Sequence, residues 1–185
     1  MAIKTFTTGE VLTAADTNTY LANSGLTYIT SVAVSSATTV IDNCFTSTYK
    51  NYQAVMNITS DTGGAAQIQI SMRVGGSTTG GTGYYGRYTG TQWTGSVDDV
   101  GMNGAANWFA MRVNGDGRGF GGTVNFQNPQ LAARTFIQTT GSDGNQRWLF
   151  GGMHDSTTQF DGFQIFNSGT SAMTGTITVY GYRKV

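Results

Sequence analysis

Between residues 67 and 74 apolar and polar side chains alternate without a break, with Ile68, Ile70, Met72 and Val74 on one side and Gln67, Gln69, Ser71 and Arg73 on the other. A period of two is that of a strand with one face in a core and the other in water. The segment NYQAVMNIT repeats the pattern with Tyr52, Ala54, Met56 and Ile58, and SDTGG between the two segments predicts a hairpin. Further strand signals lie in TYITSVAV, NWFAMRV, GGTVNFQ, RTFIQTT, QRWLFGGM, DGFQIFN and GTITVYGYRK, each bounded by Gly, Asn, Asp or Ser. Their spacing of about ten residues suits a sandwich of short strands. Asn-Gly and Asp-Gly pairs in MRVNGDGRGFGG and TTGSDGNQRW accept the positive φ angles of tight turns, so antiparallel pairing is expected. The pattern predicts an all-β protein, an antiparallel β-sandwich over residues 27–185.

One long stretch breaks the rhythm. From Val74 to Asn107 the chain is rich in Gly and Thr, and it reads as a single strand, GYYGRYT, within long loops. Its aromatics, Tyr84, Tyr85, Tyr88 and Trp93, have two readings. They are core residues of that strand, or an exposed loop that stacks on a sugar face or packs on a neighbouring subunit, since Tyr and Trp join a large ring to a polar tip.

Ahead of the strands, TAADTNTYLAN over residues 13–23 predicts the one helix. Thr13 is a suitable N-cap, Asp16 can complete a short capping box, and Gly25 offers a left-handed stop. A helix of about ten residues does not hold alone in water. Its apolar residues Leu12, Ala15, Tyr20 and Leu21 are too few for a core and enough for a docking stripe. Two surfaces could receive that stripe: the end of the molecule's own sandwich, or another protein. Residues 1–26 are therefore expected to form an anchoring arm.

Composition narrows the function. Charged residues make up 11% of the 185, net charge is zero, and 27 glycines with many Thr, Ser and Asn take up the difference. No basic patch is present to neutralise phosphates, so nucleic acid is not an expected partner. Neither a long apolar run nor an apolar signal core occurs, so neither membrane insertion nor a secretory signal is expected. A near-neutral surface gains little colloidal repulsion, which suits a subunit held in an assembly better than a free monomer.

Candidate chemistry is sparse. Cys44 is alone, which excludes an intrachain disulfide and a thiolate zinc cluster and predicts a buried apolar thiol beside Phe45. His154 lacks ligand-spaced partners and reads as a turn histidine. No G-x-S-x-G elbow is present. Asp155 and Asp161 are the acids to test for glycan hydrolysis, and Asp98 with Asp99 is a poor match to any Ca²⁺ loop. Glycine pairs at Gly75, Gly121 and Gly151 are followed by strand patterns, not by the helix a phosphate loop needs. A non-enzymatic protein without a cofactor is expected.

Three segments carry a resemblance: FTTGEVLTAADTNTYL (Phe6 to Leu21), CFTSTYKNYQAVMNIT near the first alternating strand, and FDGFQIFNSGTSAMTGTITVYGYRK (Phe160 to Lys184). Together they resemble parts of the structural proteins of tailed-bacteriophage virions, of the tail-fibre, appendage and decoration type. The resemblance implies an N-terminal attachment segment, a β-sandwich of jelly-roll type and assembly as a homotrimer in the virion. Lacking a shaft and a self-cleaving chaperone domain, the chain is closer to a small fibre or attachment protein docked through its arm. The alternatives are a capsid decoration or head-fibre subunit, and a carbohydrate-binding module. Implied partners are other virion proteins of tail or capsid, further copies of the chain, and a host-surface glycan.

Overall fold

The computed structural model describes residues 7–11, 13–16, 25–61, 66–113 and 117–183. A short helical turn, α1 (Ala14–Asp16), follows Thr13 directly. Leu12, Tyr20 and Leu21, on which the expected docking stripe depends, lie outside the described residues. All other regular structure is strand: β1 (Leu26–Val34), β2 (Thr38–Ile41), β3 (Tyr49–Asp61), β4 (Ala66–Val74), β5 (Ser77–Thr78), β6 (Tyr84–Gln92) and β7 (Val97–Ala105). These are followed by β8 (Trp108–Val113), β9 (Phe120–Gln127), β10 (Thr135–Asp143), β11 (Gln146–His154), β12 (Gly162–Asn167) and β13 (Met173–Arg183).

The strands form two antiparallel sheets. The larger runs β1-β13-β3-β9-β10-β11-β6-β7, and the smaller runs β2-β12-β4, with β5 and β8 both paired to β4. With β5 to β7 and β10 to β11 set aside, eight strands remain. In chain order they lie first, eighth, third, sixth in the larger sheet and second, seventh, fourth, fifth in the smaller. That is jelly-roll connectivity, in which successive core strands, the fourth and fifth excepted, cross between layers. The remaining long strands, β10, β11, β6 and β7, continue the larger sheet beyond β9 and double its width.

The crossings overturn two hairpins expected from the pattern. β3 pairs with β13 and β9, whereas β4 pairs with β12, β8 and β5, so SDTGG links facing sheets. The segment after β8 likewise leads from the smaller sheet to the larger. Two strands that look inward from opposite layers show the same alternation as two that pair, because periodicity reports the buried face and not the sheet. By contrast TTGSDGNQRW is a tight hairpin, in which Asp143 Oδ1 accepts the N–H groups of Asn145 and Gln146, each at 2.8 Å.

Alternating residues of both layers meet in the core. Phe45 stands between them, 4.7 Å from the Tyr52 ring, 5.1 Å from Phe126 and 5.7 Å from Phe163. A second cluster joins β6 and β11 to β8, where Tyr84 meets Trp108 edge-on at 4.9 Å and His154 at 4.4 Å. Glycine makes room for these rings. A Cβ at Gly86 or Gly152 would lie 2.5 or 2.6 Å from Phe150 Cζ, so the Phe150 ring occupies the space that a side chain would take on the neighbouring β6 and two residues further along its own β11.

The outer face of β4 is drier than its pattern implied. Ser71 and Arg73 are both buried. Arg73 donates through Nε and Nη2 to the two carboxylate oxygens of Asp42, at 2.6 and 3.1 Å, and through Nη1 to Thr78 Oγ1 at 2.8 Å. A planar guanidinium satisfied on several sides ties the connection after β2 to β5 across the end of the smaller sheet.

Candidate functional site

The outer face of the larger sheet is the most distinctive surface. Register aligns its outward residues in rows across strands that are far apart in sequence. One row runs Leu26, Tyr182, Asn51, Gln127, Phe136, from β1 through β13, β3 and β9 to β10. The next runs Tyr28, Tyr180, Gln53, Asn125, Gln138, and the third Ser31, Thr178, Val55, Thr123, Thr140. A fourth continues with Ala33, Thr176, Asn57, Gly121 and Ser142. None of these residues carries a charge. Followed further along, the rows reach charged residues at Arg147 on β11, Arg87 on β6 and Asp99 on β7.

In the middle of the first two rows the amides converge. Gln53 Nε2 donates to Asn125 Oδ1 at 3.1 Å and more weakly to the Tyr182 hydroxyl at 3.4 Å. Asn51, Gln127 and Gln138 make no side-chain hydrogen bond to another described residue. Together with Tyr182 these amides line a shallow depression of about 270 Å³, whose floor rests on Tyr52 and Phe126. Aromatic rings flank it. Tyr28 and Tyr180 meet edge-on at 6.3 Å on one side, and Phe136 is 42% exposed on the other. Each amide offers a donor and an acceptor, and no Asp, Glu, His, Lys or Arg lines the depression, so the surface suits neutral hydrogen-bonding ligands.

The four aromatics expected to act together are separated. Tyr84 and Tyr88 point into the core, fully buried, and burial pushes both phenols up to about 12. The Tyr84 hydroxyl accepts from Met72 N at 2.9 Å and donates to Thr79 O at 2.8 Å, joining β6 to the facing sheet. Tyr85 lies on the outer face opposite Met153. Trp93 caps the β6–β7 hairpin, 60% exposed. Tyr84, Tyr85 and Tyr88 belong to the strand that the pattern indicated, two of them as core residues, whereas Trp93 stands in a tight hairpin where long loops were expected.

The candidate acids and His154 are also accounted for. Asp99 forms a two-pronged pair with Arg87, at 2.8 and 2.6 Å, and this guanidinium holds its carboxyl below the usual carboxylate range. Asp98 pairs with Arg112 at 2.9 Å. Asp155 pairs with Arg134 at 2.6 Å, and Asp161 accepts from Gly75 N at 2.7 Å. Among the described residues no three His, Cys, Asp or Glu side chains gather in a metal-holding group. His154 ends β11 and faces the core against Tyr84, Trp108 and Phe160, not a turn, and burial pushes its imidazole below the ordinary 6.5. Cys44 is fully buried, its Sγ 3.6 Å from Ile41 O.

No family model, curated protein or solved structure matches the chain.

Proposed function

We propose that the chain is a non-enzymatic structural protein of a tailed-bacteriophage virion. In this reading it is a small fibre or attachment protein, docked through residues 1–26 and assembled as a homotrimer, with the sandwich turned outward. The supporting observation is the state of the arm. Its described residues up to Ala15 are exposed, Val11 at 78%. Thr7 to Glu10 closes as a turn, Glu10 N donating to Thr7 O at 3.0 Å and Thr7 N to Glu10 Oε2 at 3.1 Å, with Gly9 at φ 89°. A turn whose described residues are exposed, ahead of a complete jelly roll, suits an arm whose partner is another molecule. The three segments that resemble virion proteins, and a fold of the type that resemblance implies, point the same way.

Deleting residues 1–26 is the test. Incorporation into particles should be lost while the sandwich still melts cooperatively, and the full chain should have about three times the mass of its 19.6 kDa monomer in solution. Full incorporation of the truncated chain, or a stable monomer at working concentration, would refute the reading. Labelled particles then separate a tail location from decoration of the capsid.

A further inference from the structure

We infer that the amide-lined depression on the outer face of the larger sheet binds a neutral oligosaccharide, lying across the strands from Tyr182 toward Phe136. This deepens the reading of an outward-facing sandwich and rests on it. The register brings together Asn51, Gln53, Asn125, Gln127 and Gln138, five side chains that each donate and accept. Sugar hydroxyls also do both, so one ligand class answers every group without an ionic contact.

Charge disfavours the competing ligands. A sialylated, uronic or phosphorylated chain needs cations, and none of the residues in the four rows from β1 to β10 supplies one. The nearest outward cation along the second row is Arg87, already held by Asp99. Between Gln138 and Arg87 stands Gly151, with open space where a side chain would be, so the row stays low beyond the amides. Tyr182 and Phe136 lie on strands three spacings apart, roughly 14 Å at the usual strand separation, which is the reach of a short oligosaccharide. Exposed rings at both ends offer apolar faces to the C–H side of a sugar.

A second copy of the chain is the other occupant to weigh. Pressing this face dry against protein would require each amide donor and acceptor to find a fixed partner, at a cost wherever one failed. Freely rotating hydroxyls and bridging water meet that demand more easily. The depression therefore favours the polyhydroxyl ligand.

The experiment uses the full chain on an array of neutral glycans (dextran, mannan, laminarin and chito-oligosaccharides) beside anionic ones (polysialic acid and heparin). Calorimetry follows with the best soluble oligosaccharide. Binding to a neutral glycan is expected, little changed by salt, and reduced about tenfold or more in Gln53→Ala and Asn125→Ala, as the loss of one or two hydrogen bonds predicts. Trp93→Ala should bind as wild type. Gln138→Ala, at an exposed position, replaces either variant if it melts well below wild type. No neutral glycan bound, preference for anionic glycans, or undiminished binding by the variants would each overturn the proposal. A change of oligomeric mass in the variants without a change in glycan binding would overturn it in favour of a subunit contact. Particle incorporation of Gln53→Ala is scored in parallel, so a failed glycan site is distinguished from a failed virion assignment.

Discussion

Three tyrosines in one strand should respond differently to the loss of a single oxygen. Tyr84→Phe keeps the ring against Trp108 and removes a hydroxyl that accepts from Met72 N and donates to Thr79 O. Two hydrogen bonds worth about 1 kcal/mol each are lost, and the Met72 N–H is left buried without that partner, for a total of about 2–3 kcal/mol. In a chain of this size that lowers the melting temperature by roughly 5–10 °C. The Tyr88 hydroxyl is buried and its contact with the Arg112 backbone falls short of hydrogen-bond geometry, so Tyr88→Phe should cost clearly less than Tyr84→Phe, about 1 kcal/mol at most. Tyr85→Phe, on the outer face, should stay within about 0.5 kcal/mol of wild type. Urea unfolding followed by tryptophan fluorescence reads all three, because Trp108 and Trp148 are buried and shift on exposure. If Tyr84→Phe cost no more than Tyr88→Phe, the hydroxyl bridge between the sheets would be wrong.

Two further outcomes follow from buried titratable groups. His154 has a folded pKa below its unfolded 6.5, so the unfolded chain takes up the proton first, and stability present above about that pH is lost as pH falls below it. Thermal melts from about pH 8 to 5 should show this loss in wild type and a flatter profile in His154→Phe; equal slopes would refute it. Burial pushes the Cys44 thiol up, so Ellman's reagent should react with it only after unfolding, and prompt reaction of the native protein would contradict the packing.

Ten of the strands could be read from alternation or turn spacing, because most set their apolar residues against a core at a period of two and β8, buried at four successive positions, is an apolar run between turn residues. β7 could not, since VDDVGMNGA lies at the sheet edge and follows no burial alternation. β2 and β5 are too short to show a period. Which layer each strand joins was also hidden. Tyr52 and Ile68 both signal an inward face, and only their partners reveal that they look at each other from opposite sheets. The amide depression is less legible still. Asn51, Asn125, Gln138 and Tyr182 each look like an ordinary wet residue of a separate strand, and their convergence exists only through the register of β3, β9, β10 and β13.

The far edge of the larger sheet has a consequence of its own. Among the described residues β7 ends the sheet and has no strand beyond it, and an edge of this kind can recruit further strands into fibrils. On it stand Asp98 and Asp99, two of the ten acids in the chain, each matched to an arginine. A strand adding there would have to strip water from two ion pairs before gaining backbone hydrogen bonds. The acids that matched no Ca²⁺ loop thus set two ion pairs along this edge, so that an incoming strand would meet charge there before apolar surface.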